Sequence, residues 1–235
     1  MEGPLHIPDG FINAGTSAGA AVIAAGGVAV AVKKTSDYME DKQVPLAGLT
    51  AAFVFAVQML NFPVAAGTSG HLLGGLLAAV LVGPWAGALC VTVVLIVQAF
   101  FADGGITALG LNILDMGFIT ALGGYALFAG LRKILPRERP SVVVASGIAA
   151  GVSVVLSALA FLVQFAIGGN VDLPMGSVFA AMVGVHALIG VGEGVITAAT
   201  IGLVLSVRPD LVYGARDLAT PLELKPQVST AGGLS

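Results

Sequence analysis

All ten basic residues of this 235-residue chain fall into three short stretches separated by long apolar runs. Lys33, Lys34 and Lys42 make the first group; Arg132, Lys133, Arg137 and Arg139 the second; Arg208, Arg216 and Lys225 the third. Between and around them lie seven apolar segments, at about residues 14–32, 44–60, 71–82, 85–101, 111–131, 142–167 and 178–207. A helix needs about 20 mainly apolar residues to cross a bilayer, so these read as membrane helices, some of them short. Seven alternating crossings put all three basic groups on one side. Lys and Arg concentrate in cytoplasmic loops, which makes that side the cytoplasm. The expectation is therefore an all-α membrane protein: a bundle of seven transmembrane helices in the cell (plasma or inner) membrane, with the N-terminus outside and the C-terminus cytoplasmic.

Composition agrees. Only 10% of residues are charged and 57% are hydrophobic, with a mean hydropathy of +1.00, against about 25% charged residues in soluble domains. Such a chain cannot cover a water-facing surface. The net charge of −3 has no basic stripe that would bind nucleic acid. A lone Cys90 in an apolar run excludes an internal disulfide and a Cys-rich metal site. Residues 1–13 contain Glu2 and Asp9 but no Lys or Arg, unlike a secretory leader, so the first apolar segment reads as a retained helix. The third segment, opened by His71, is too short to cross untilted. Its start is expected below the surface, under an inward-dipping loop. Residues 1–211 form the expected membrane domain, with 1–13 as an outer tail. Residues 212–235, polar and carrying Pro221 and Pro226, read as a disordered cytoplasmic tail. Small-residue pairs such as Gly147/Gly151 and Gly190/Gly194 permit close helix approach.

Polar side chains within such segments are expensive and usually face the bundle or a cavity. Here they collect toward the outer ends: Gln58, Asn61, His71, Gln98, Asp103, Asn112, Asp115 and Gln164. In the last segment His186, Gly190 and Glu193 share one helical stripe. At roughly 1.5 Å per residue, His186 stands about 33 Å and Glu193 about 22 Å above Arg208. Glu193 needs a partner, with His186 or a loop amide as candidates. The arrangement suits capture of a small hydrophilic solute from outside. It also suits plain inter-helix hydrogen bonding, which is the reading for Gln58, Gln98 and Gln164. Asp115 and Glu193 read as ordering residues under a site, and a hard carboxylate site for Mg²⁺ or Ca²⁺ lacks a dense cluster of acids.

With three histidines and no nearby thiol, imidazole is the available borderline donor, suited to Ni, Cu, Co and Zn. His6 stands in the tail and His71 at the end of the Gly-rich stretch 67–70, both on the outer side. Imidazole Nδ1 can anchor an ion while adjacent deprotonated backbone nitrogens complete a planar set. Pro4 has no N–H, so only Leu5 and His6 can supply such nitrogens. Pro8 and Asp9-Gly10 favour a turn that returns the tail to the first helix.

The motifs His6-Ile7-Pro8-Asp9-Gly10-Phe11, Asn61-Phe62-Pro63 and Gly67-Thr68-Ser69-Gly70-His71-Leu72-Leu73-Gly74 occur in that order. They are followed by residues 98–105 (QAFFADGG), Asn112 with Asp115, and residues 186–193 (HALIGVGE). Together they resemble the CbiM/NikM family, the metal-binding membrane subunits of energy-coupling-factor cobalt and nickel importers, over about residues 5–211. The resemblance implies Co²⁺ or Ni²⁺ as transported substrate, held by His6, a backbone nitrogen at Leu5, and His71. Asn61, Asn112, Asp115 and Glu193 would hold the loops, with His186 among the site-supporting residues rather than the ligands. It further implies a coupling transmembrane subunit, paired cytoplasmic ATPases, often a small accessory membrane subunit, and a role in feeding cobalamin biosynthesis. Family members commonly begin Met-His, so the free amine is a ligand; here Met1-Glu2-Gly3-Pro4 precede Leu5. Either the chain is trimmed before Leu5 or the Leu5 amide replaces the amine.

The sequence contains no G-x-x-x-x-G-K-[ST] loop, so uphill import would draw its energy from partners. An intramembrane hydrolase would want H-E-x-x-H, which is absent. A subunit binding a vitamin or other small organic solute would want aromatic pocket walls, and the single Trp85 falls on the expected inner side.

Overall fold

The computed structural model describes residues 6–59, 62–65, 68–101 and 104–218. Seven helices follow one another: α1 (Ala14–Ser36), α2 (Val44–Gln58), α3 (Gly75–Val82), α4 (Pro84–Phe100), α5 (Leu109–Ile134), α6 (Arg139–Gly168) and α7 (Met175–Val207). A two-stranded antiparallel hairpin, β1 (Phe62–Ala65) and β2 (Thr68–Gly70), precedes α3; the expectation of helices alone missed it. Local chemistry explains the boundaries. Asn13 caps α1 by accepting from the Thr16 N–H at 2.9 Å. Lys33 and Lys34 complement the dipole in its last turn. Pro residues open α2, α4 and α6, where a missing N–H costs nothing. In the middle of α5, residues Ile113–Gly123 adopt the wider π winding, a feature frequent at functional sites.

α1, α5, α6 and α7 are long and apolar enough to cross a membrane, with 23, 26, 30 and 33 residues. α2 and α4 are shorter, and α3 has only eight residues, about 12 Å of helix. All eight residues of α3 are buried, and α2, α4, α5, α6 and α7 pack around it. The helix expected from His71 thus starts four residues later. Gly74 sits at φ +75°, a left-handed conformation that breaks helical continuity and favours glycine. α6 and α7 pack backbone to backbone: a Cβ on Gly190 would lie 2.6 Å from the Gly151 carbonyl oxygen, and one on Gly147 would lie 3.0 Å from that of Gly194. Large apolar side chains such as Val22, Ile23, Phe100, Val191 and Leu203 are exposed, as a lipid-facing surface requires.

The two ends of the bundle are chemically distinct. At one end Tyr38 donates to the Val82 carbonyl (3.2 Å) and accepts from the Ala86 N–H (3.1 Å), tying the α1–α2 loop to the α3–α4 turn. Arg216 stacks 3.8 Å over the Tyr213 ring, and Arg132 pairs with Asp217 at 2.9 Å. The 3₁₀ segment Tyr213–Leu218 thereby packs on the bundle, with Val212, Gly214 and Ala215 buried. The packed structure therefore continues past residue 211, where the sequence reading ended it. Residues 219–235 lie outside the described residues. At the other end, Asn13 N–H donates to the Gly168 carbonyl (2.7 Å), and Asn170 N–H to that of Phe11 (3.0 Å). Phe11 stacks near Phe161 and Phe165. The tail is thus fastened to the end of α6 before it enters α1.

Candidate metal site

The tail turns back over that second end and is fixed to the loop before α5 and to the first turn of α5. Asn112 accepts from the Ile7 N–H (3.1 Å) and donates to the Ile7 carbonyl (3.3 Å), reading the tail as a strand partner would. Gly105 N–H donates to the same carbonyl at 2.9 Å. Asp9 Oδ1 accepts from the Thr107 N–H (2.7 Å) and hydroxyl (2.5 Å). These bonds, the hydroxyl's first, hold the Asp9 carboxyl below its ordinary value of 3.8. Gly105 lies so close that a Cβ there would overlap the Asp9 backbone nitrogen. Gly104 has φ +120°, and a Cβ on it would stand 3.0 Å from that of His6. The tail motif and the Gly-rich loop motif, read separately in the sequence, are two halves of one latch.

The latch brings His6 against His71. The ring centroids are 4.9 Å apart with planes at 85°, and both residues are buried. Two imidazoles bound side by side to one ion, with M–N bonds of ~2.0–2.1 Å and a further ~1.1 Å to each ring centre, have centroids about 4.5–5.2 Å apart. The His6–His71 spacing falls in that interval. His71 Nδ1 lies 2.8 Å from the Leu72 carbonyl. With Nδ1 as the donor, the lone pair sits on Nε2.

His71 is placed by the segment behind it. Glu193 accepts from the Leu73 N–H (2.6 Å) and the Gly74 N–H (2.9 Å), and Gln58 donates to the Leu73 carbonyl (2.7 Å). Of the two partners expected for Glu193, loop amides take the role. His186 instead places Nδ1 2.8 Å from the Met182 carbonyl. Gln164 donates to Asp115 at 2.6 Å, so Asp115 holds α6 rather than a loop.

The two histidines themselves line a cavity of about 240 Å³, and Asn112, Asp115, Met116, Phe161, Met182 and His186 are also among its walls. The polar side chains expected to converge on one volume therefore divide. Asp115 and His186 face the cavity, whereas Glu193 and Gln58 flank a separate crevice of about 10 Å³. Gln98 is buried in α4 with a 4.0 Å contact to the Met59 sulfur. Leu5, Asn61 and Asp103 lie outside the described residues. The sequence reading missed Met182 and Phe161 as cavity walls. Met182 was accessible to it, since it precedes His186 by one turn on the same helical face. Among the described residues no three His, Cys, Asp or Glu side chains surround one point.

The chain is similar to known proteins over most of its length. Residues 6–211 match the family described as cobalt uptake substrate-specific transmembrane region, CbiM. The chain is 37% identical over 214 residues to a Haloquadratum walsbyi protein named as a metal transport protein, covering 89% of this chain and 94% of that one. It is also 37% identical over 211 residues to an Archaeoglobus fulgidus protein named as a fused nickel transport protein, NikMN, covering 88% of this chain and 68% of that one. A crystal structure described as that of a transition metal transporter superposes with a TM-score of 0.78 at 30% identity, covering 86% of this chain and 93% of that one.

Proposed function

The chain belongs to the CbiM family of cobalt-uptake substrate-specific transmembrane proteins, and from that premise we propose that it captures Co²⁺ or Ni²⁺ at the outer face of the cell membrane and passes it inward. The observation that carries the reading is the His6–His71 pair at 4.9 Å between ring centroids, closed over by the latched tail. Imidazole donors suit both ions. With two imidazoles, the remaining donors come from backbone nitrogen at His6 and Leu5, and Asn112, Asp115 and Glu193 act as supports. Asn61 belongs to the same supporting set by the resemblance.

The helices cross seven times, with α3 as a short buried segment reached through the β1–β2 hairpin, and residues 1–211 are the membrane domain, against one end of which residues 212–218 pack. The basic ends of α1, α5 and α7 face the cytoplasm and the tail faces outward. The chain works as the substrate-binding component of an energy-coupling-factor importer, alongside a coupling membrane subunit and paired ATPases, and its product feeds cobalamin biosynthesis. The relative named as fused extends well beyond the matched part, and a small accessory membrane part belongs to the proposed assembly. The function is transport rather than catalysis.

Metal analysis of membrane-purified protein tests this reading. His6→Ala and His71→Ala should each lose bound Co or Ni, while Arg208→Ala at the opposite end keeps it. Retention in both histidine variants ends the proposal. Intact mass of the metal-loaded chain separates the two N-terminal donors: an untrimmed, loaded chain excludes a free amine at Leu5.

A further inference from the structure

We propose that the cavity lined by His6 and His71 holds a second, weaker divalent-cation station at its Asp115 and His186 wall, beside Met116 and Met182. This rests on the reading of His6 and His71 as the capture site, and it adds the next position of the same ion. Three observations carry it. Asp115 is 4% exposed; Oδ1 is engaged by Gln164, but Oδ2, fully buried, has no hydrogen-bond partner among the described residues. A buried carboxylate oxygen left in that condition calls for a ligand or water. His186 has its Nδ1 fixed on the Met182 carbonyl, which places the proton there and the lone pair on Nε2. A carbonyl on the far ring nitrogen is the usual support of a metal-binding imidazole. Both side chains line one cavity, shared with His6 and His71, of about 240 Å³, many times the ~15 Å³ that admits one water.

The position fits a path inward. His186 lies eleven residues into α7 and Ser157, also in the cavity wall, eleven residues before the end of α6, so the floor is about 16 Å below the outer helix ends at 1.5 Å per residue. The donor set, one carboxylate, one imidazole and thioethers, matches a borderline transition ion. It does not chelate strongly, because no third His, Cys, Asp or Glu among the described residues joins it. The ion would keep part of its water. Weak, multi-site binding is what a transit position needs, since a site that holds too tightly cannot release.

The test is titration of the purified full-length protein in detergent with Co²⁺ alone, read by equilibrium dialysis and by the visible absorption of bound Co²⁺. Wild type should bind one tight and one weak equivalent. His6→Ala/His71→Ala should lose the tight equivalent and keep the weak one. Adding Asp115→Asn and His186→Gln should raise the weak dissociation constant at least tenfold and change its absorption bands. Where the combined variant does not fold, His186→Gln alone, isosteric enough to pack, reads the same tenfold change. Absence of a weak equivalent, or a weak equivalent indifferent to these substitutions, overturns the station. Survival of the tight equivalent in His6→Ala/His71→Ala instead overturns the capture site, and the weak class is still read separately.

Discussion

Removing the Glu193 carboxylate tests how His71 is held. The Leu73 peptide is gripped on both sides, its N–H by Glu193 and its carbonyl by Gln58, and the Gly74 N–H adds a second bond to Glu193. Glu193 is 2% exposed, and the crevice beside it, about 10 Å³, is at the lower limit for one water. Glu193→Ala leaves two buried N–H groups without acceptors, at ~1–3 kcal/mol each, or about 2–6 kcal/mol in total. Water entering the space left by the side chain brings the loss to the low end of that range. Glu193→Gln keeps one acceptor oxygen and turns an NH₂ toward the other N–H, so it should lose about 1–3 kcal/mol. At ~2–4 °C per kcal/mol for a chain of this length, the Ala variant should melt roughly 4–24 °C lower. Cys90, the single cysteine, is buried in α4, so a thiol-reactive fluorogenic maleimide reports unfolding directly. Metal retention should fall in the same order, because residues 71–74 lose their anchor. Equal melting of Ala and Gln variants, or wild-type melting of both, refutes the two-amide fork.

The latch makes three further predictions. Asn112→Ala removes two bonds to Ile7, worth about 1–3 kcal/mol together; if tail closure is coupled to capture, Co²⁺ affinity in a dialysis assay should drop roughly 5–150-fold at ~1.4 kcal/mol per tenfold, and an unchanged affinity would uncouple the tail from the site. Gly105→Ala forces a methyl into the Asp9 backbone, so metal content should fall while the Cys90 melting temperature stays near wild type; a fully loaded variant would contradict the close approach. For Asp9, hydrogen bonds from Thr107 depress the folded value below 3.8. Its contribution to closure is complete above that value and is lost as pH falls through the depressed one. Pepsin cleavage of the tail, followed between about pH 2 and 5, should show an acid-induced release in wild type that Asp9→Asn lacks. An acid-induced step of the same size in Asp9→Asn would assign the transition to another group.

Much of the fold was legible because a bilayer allows few solutions. The expected helical membrane character appears, with four helices long and apolar enough to cross a membrane and several helix boundaries within three residues of those read from composition, Pro and Gly. The exceptions cluster in residues 58–75. There the sequence has the same apolar character as a helix, but the Leu73 and Gly74 amides are taken by Glu193, 120 and 119 positions away. Helix periodicity holds no record of a bond over that distance. The site divides in the same way. His6 and His71 stand out as residue types, being two of only three histidines, and so does Glu193 as a charge within an apolar run. That Asp9 closes on Thr107, that Asn112 reads the tail backbone, and that Asp115 and His186 share a cavity while Glu193 does not are matters of packing. Sequence alone determined the class, since an apolar chain with ten clustered basic residues has nowhere to fold but a membrane. Tertiary structure alone decided which polar groups meet, because in that medium each polar group must find its partner inside the protein, wherever in the chain that partner lies.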